Sequence, residues 1–149
     1  MKKALTFLLV LTLALTLCNG SFSSAAAADG TFENKGRQYI TADRLKADIE
    51  ADKNLFLLDI QPKKNYDKNH LKGVVATYAF PVETDEEKAA VDAVLGDAAG
   101  KDLIIICPGG GKGANNTWDH LAANGYDMST VFILEKGQNG WPHADLLDR

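Results

Sequence analysis

The chain has 149 residues, 46% of them hydrophobic and 24% charged, with a formal net charge of −4. That length suits one domain and that balance is globular, which excludes disordered, collagenous and coiled-coil chains. With 16 Lys+Arg against 20 Asp+Glu and no basic run, nucleic acid and anionic lipid surfaces are poor partners, and 2 cysteines are too few for a disulfide-rich mini-protein.

At the amino terminus, Lys2 and Lys3 precede the apolar run Ala4 to Leu17. A run of about 14 residues matches the core of an export signal and is short of the roughly 20 that span a bilayer, so no membrane span is expected. The small residues of Ser21 to Ala28 suit signal peptidase, with the cut expected after Ala28. Residues 1–28 are therefore read as a signal peptide and residues 31–149 as one domain, periplasmic or secreted. Leu15-Thr16-Leu17-Cys18 resembles a lipobox, but Leu17 stands where a small residue is expected, so a lipid anchor at Cys18 is the lesser reading. Cleavage leaves Cys107 as a lone thiol where disulfides are favoured, either buried and inert or at work.

Further on, Thr41 caps an expected helix whose apolar positions Leu45 and Ile49 are four apart. Leu55 to Ile60 is a nearly continuous apolar run, as in a strand buried on both faces. Val74 to Thr77 reads as a second strand. Thr84-Asp85-Glu86-Glu87 is a capping box opening a helix that continues over Ala89 to Leu95 and stops at Gly96. Glu83 to Lys88 reads as a solvated helix start. Leu103 to Ile106 is a strand, Gly113 to Asn124 a helix stopped by Gly125, and Val131 to Leu134 a further strand. Apolar strands alternating with helices over short connections predict a three-layer α/β domain, a mainly parallel sheet flanked by helices on both faces. In such sheets the site lies at the carboxyl ends of the strands, where Asp59 and the loop after Ile106 fall.

That loop, Cys107-Pro108-Gly109-Gly110-Gly111-Lys112-Gly113, joins a strand to a helix. Glycine costs conformational entropy, so Gly109, Gly110, Gly111 and Gly113 together need a reason. A ring of inward N–H groups with a helix N-terminus behind it holds an anion. With Cys107 at its base, the anion can be the cysteine's own thiolate, kept nucleophilic by those donors. Lys112 adds positive charge. Local features alone leave open a plain tight turn around a structural cysteine. Gly109-x-Gly111-x-x-Ala114 fits a dinucleotide fingerprint but falls too late in the chain. A phosphate-binding P-loop needs Ser or Thr after Lys112, and a cysteine phosphatase needs Arg where Gly113 stands.

From about Tyr39 to Trp141 the chain resembles a single-domain rhodanese. The resemblance rests on an ordered set. Ile40-Thr41-Ala42 with Leu45 opens it, followed by Leu57-Leu58-Asp59-Ile60 and Tyr66. Then come His70-Leu71-Lys72-Gly73-Val74-Val75, Pro81, and the strand into Cys107 with Gly110. Gly125-Tyr126 and Leu134-Glu135-Lys136-Gly137 with Trp141 close it. The resemblance implies a sulfurtransferase carrying sulfane sulfur as a Cys107 persulfide. Gly109 to Gly113 would be the substrate cradle and Asp59 and His70 supporting residues, with no cofactor. The implied partners are a small sulfur-containing anion, a thiol or cyanide acceptor, and a redox partner protein. An alternative from another class is a non-catalytic sulfur carrier acting with a partner protein. Three residues depart from the family's pattern. Gln61 and Lys112 stand where arginines are usual, and Pro108 has no N–H to donate. His120 and His143 show no metal-ligand spacing with Cys107, so no metal is expected. Trp118 is either packing or a pocket wall, and Trp141 is assigned to the core.

Overall fold

The computed structural model describes residues 36–148. The expected signal peptide and Cys18 lie outside the described residues. Five parallel strands form the main sheet. They are β1 (Tyr39–Ile40), β2 (Leu55–Asp59), β4 (Val75–Ala76), β5 (Asp102–Ile106) and β6 (Val131–Leu134), in the order β1-β6-β5-β2-β4. A second, two-stranded antiparallel pair joins β3 (His70–Leu71) to β7 (Leu147–Asp148).

The sheet is covered on both faces, which is why its central strands read as unbroken apolar runs. Alternation along each strand sorts the side chains. Phe56, Leu58 and Ile60 join Leu103, Ile105 and Cys107 on one face. They pack under Val91 of α3 (Asp85–Asp92) and Ala114, Trp118 and Leu121 of α4 (Lys112–Ala123). Leu57, Ile104 and Ile106 face the other way, against Leu45 of α1 (Ala42–Glu50), with Trp141 in the same cluster. Trp118 and Trp141 are both core residues.

The caps form as the sequence implies. Thr41 Oγ1 accepts from Arg44 N at 3.2 Å. Thr84 and Glu87 close both halves of the capping box, at 3.2 and 3.1 Å. At the end of α4, Gly125 sits at φ +76°, and Tyr126 N reaches back to Leu121 O at 3.1 Å, as in a Schellman motif. Several boundaries differ from expectation. Helix α3 stops at Asp92 and a 3₁₀ turn takes over at Leu95–Ala98, so the chain turns before Gly96. The strand expected over Val74 to Thr77 pairs only at Val75–Ala76. β1, β3, β7 and the short helix α2 (Lys63–Tyr66) are too short to leave a periodic signal.

Candidate active site

Cys107 directly follows β5, at the carboxyl end of the sheet. Its side chain lies on the α3/α4 face and is 1% exposed. Strand β5 is held centrally between β2 and β6, so the position of the thiol is set by the sheet. The loop then spans Pro108 to Gly111, and α4 begins at Lys112. Of the expected amide ring, the Gly110 N–H donates to Cys107 Sγ at 3.1 Å. The first N–H groups of α4 have no partner within the helix, and its dipole favours an anion at that end.

The glycines serve different ends. Gly110 adopts φ +70°, and a Cβ there would come 2.8 Å from both Leu134 O and Lys136 N. Gly137, at φ +56°, meets the loop from the other side, where a Cβ would lie 2.2 Å from Cys107 O. The two backbones touch, and hydrogen bonds lock them. Gln138 N donates to Cys107 O and Asn139 N to Pro108 O, both at 2.9 Å. Gly113 is small for another reason, since a Cβ would strike the Phe80 ring at 2.6 Å and Ile60 Cδ1 at 3.1 Å. Gly109 and Gly111 face open space. Gly137 to Asn139 and Phe80 are therefore parts of the site that loop chemistry alone does not point to. The signal for the first was the Gly137 of Leu134-Glu135-Lys136-Gly137. Phe80 left none.

Lys112 turns to Glu83, with Nζ to Oε1 at 2.5 Å and both side chains partly solvated. The ammonium beside it, more than the nearby Asn116 amide, holds the Glu83 carboxyl below its ordinary range. Glu83 was expected to be merely solvated. Its partner is 29 positions along the chain, beyond the reach of any helical spacing rule.

Asp59 and His70 lie apart from the sulfur. Asp59 is paired in register with Ile106, but alternation turns its side chain to the α1 face, away from Cys107. It is buried, and its Oδ1 and Oδ2 accept from Gln61 N at 2.7 Å and Gln61 Nε2 at 3.0 Å. Burial raises its pKa from the ordinary 3.8, opposed by the two Gln61 hydrogen bonds and by His70. Gln61, where arginine is usual, thus serves as a neutral partner for a buried acid. His70 Nδ1 lies 3.1 Å from Tyr66 O, and its ring stacks on Tyr66 at 3.7 Å. The contacts of both residues are thus local, Asp59 with Gln61 just after β2 and His70 with Tyr66 just before β3. Among the described residues no group of three or more His, Cys, Asp or Glu is placed to hold a metal ion.

A buried cysteine at the end of a central parallel strand, with its sulfur accepting from the amide of a glycine loop that opens a helix, is the arrangement whose sequence counterpart spans residues 41–144. That stretch matches the rhodanese-like domain family. The chain belongs to this family. Solved structures share its fold. A rhodanese-like domain protein from Staphylococcus aureus is 21% identical with a TM-score of 0.56, over 73% of this chain and 95% of that one. The thiosulfate sulfurtransferase from Pseudomonas aeruginosa is 20% identical with a TM-score of 0.56, over 75% of this chain and 19% of that one. The As-Sb reductase from Leishmania major is 17% identical with a TM-score of 0.56, over 74% of this chain and 84% of that one. At such identities the likeness carries the fold and nothing finer. No curated protein matches the chain. Rhodanese-like domains are often sulfurtransferases, and this one has its cysteine at the loop head. No helix among its described residues is long and apolar enough to cross a membrane.

Proposed function

We propose that this rhodanese-like domain is a sulfurtransferase that carries sulfane sulfur on Cys107. The observation that carries the reading is the Gly110 N–H donating to Cys107 Sγ at 3.1 Å, at the N-terminus of α4. That donor and the helix dipole favour negative charge on whichever sulfur occupies the cradle, first the thiolate and then the outer sulfur of the persulfide. With thiosulfate as donor, the Cys107 thiolate attacks the outer sulfur. The S–S bond breaks and sulfite leaves with its electron pair. A thiolate or cyanide then attacks the outer sulfur of the persulfide, and Cys107 leaves as thiolate. Polysulfide serves as donor by the same displacement, and no cofactor or metal takes part. The amino-terminal segment, read as an export signal, puts this chemistry in the periplasm or outside the cell.

The test is mass spectrometry after incubation with thiosulfate or polysulfide. The wild type gains one sulfur, about 32 Da, released by cyanide, and Cys107→Ser gains none. A sulfur adduct that survives in Cys107→Ser refutes the mechanism. A protein that takes sulfur only from a partner protein, and never from a small donor, is the non-catalytic carrier.

A further inference from the structure

The usual anion-gripping position of this loop is held by Lys112, and the structure gives that ammonium a partner of its own. Glu83 is an exposed carboxylate, but the turn that delivers it is fixed, twice against α4 and once by burial. The Phe80 ring rests on Gly113, Pro81 O accepts from Asn116 Nδ2 at 2.9 Å, and Val82 is buried at 1% exposure. Val82 also holds φ +62°, a conformation that a β-branched residue adopts only when its surroundings impose it. Just beyond, Glu83 N donates to Glu87 Oε2 at 2.7 Å, inside the capping box of α3. The carboxylate therefore leaves a backbone pinned at both ends and meets Lys112, the first residue of α4. Between Cys107 and Trp118 the chain has no other Lys or Arg.

We propose that Glu83 determines donor specificity. By pairing with Lys112 at the Cys107 loop, it lowers the positive charge of the approach and selects sulfur donors of low charge over a dianion such as thiosulfate. The proposal rests on Cys107 being the reacting thiol, but its test does not require sulfur transfer. A carboxylate several ångströms from an approaching ion in near-aqueous dielectric changes a monoanion's local concentration about threefold at low salt. The effect compounds with charge, so a dianion is disfavoured roughly tenfold.

Methanethiosulfonate reagents read this directly. The Cys107 thiolate attacks their sulfenyl sulfur, a mixed disulfide forms, and methanesulfinate leaves, whatever group the sulfur carries. Three reagents, bearing an ethylsulfonate, a methyl or an ethyltrimethylammonium group, differ in charge while sharing that step. Rates are normalised to a small free thiol. Glu83→Gln is expected to raise the anionic-to-cationic rate ratio about tenfold at low salt, and Lys112→Gln to lower it. Both changes should fade in 1 M salt, where the screening length is about 3 Å. In Glu83→Gln, persulfide loading by thiosulfate should rise more than labelling by the anionic reagent, about tenfold against threefold, because thiosulfate carries twice the charge. A ratio that stays within about twofold of wild type overturns the proposal, as does a Cys107 that none of the three reagents labels. Labelling that follows the expected charge order without any sulfur adduct from thiosulfate or polysulfide refutes sulfur transfer and leaves the role of Glu83 standing.

Discussion

Gly137→Ala should damage the Cys107 site from 30 positions away. The new Cβ would fall 2.2 Å from Cys107 O, 2.5 Å from Gly110 N and 2.8 Å from Gly109 N. All three are backbone atoms, so no side chain can swing aside to make room. The residue must also hold φ +56°. With ψ at −159° as well, that backbone is one only glycine adopts freely, and holding an alanine there costs about 1–3 kcal/mol, while forcing packed atoms apart adds about 1–3 kcal/mol. A loss of about 2–6 kcal/mol is expected, and each kcal/mol lowers the melting temperature of a domain this size by about 4 °C. Urea unfolding followed by Trp118 and Trp141 fluorescence measures it. Gly109→Ala is the control, because its Cβ meets nothing within 4 Å. It should stay within about 0.5 kcal/mol of wild type. If the loop yields rather than the fold, Gly137→Ala will remain stable but lose persulfide loading, as the Gly110 amide moves off the sulfur. A Gly137→Ala protein matching Gly109→Ala in both stability and loading would refute this account of how the loop is held.

Gly113→Ala should destabilise by about 1–3 kcal/mol, since its Cβ meets a ring edge that can partly give. A smaller side chain at Phe80 should recover part of that loss, and a double-mutant cycle in urea measures the coupling. Asp59→Asn keeps the shape of the Gln61 pairing and removes a titrating group. Burial raises the folded pKa of Asp59, so its favourable contribution is full below the ordinary 3.8 and is lost as pH rises through the folded value. The stability of wild type relative to Asp59→Asn should therefore fall as pH is raised above about 4, read as a difference in urea midpoints. Lys112→Arg alone should change thiosulfate loading by less than about twofold, because a guanidinium pairs with Glu83 at least as well as an ammonium does. Combined with Glu83→Gln it should raise loading further than Glu83→Gln alone, in the same mass assay.

Much of the architecture was legible because its signals are local. Leu55 to Leu58 and Leu103 to Ile106 announce buried parallel strands, Thr84 with Glu87 announces a helix start, and Gly125 a helix end. Those elements, in order, give the alternating α/β pattern and put Cys107 at a strand terminus. The remainder was hidden because it is made by pairs far apart in sequence. Two-residue strands such as β1 have no period to detect, and their existence depends on β6 about ninety residues on. The run of glycines reads as one cradle, yet Gly110 answers to the Lys136 backbone and Gly113 to the Phe80 ring. The pairing of Lys112 with Glu83 is likewise tertiary. Asp59 lay where the sequence placed it, at a strand end, but only its side-chain alternation separates it from the sulfur.

The Cys107 loop is sealed by residues 137 to 139, close to the end of the chain. During synthesis, Cys107 emerges well before the segment that closes over its carbonyl and that of Pro108. β1 is in the same position, waiting on β6 for its ladder. Until residues 137 to 139 fold back, the loop lacks the two hydrogen bonds that hold the Cys107 and Pro108 carbonyls. The docked position of this sulfur is thus made by two segments about thirty residues apart, and it forms only once the second has joined the first.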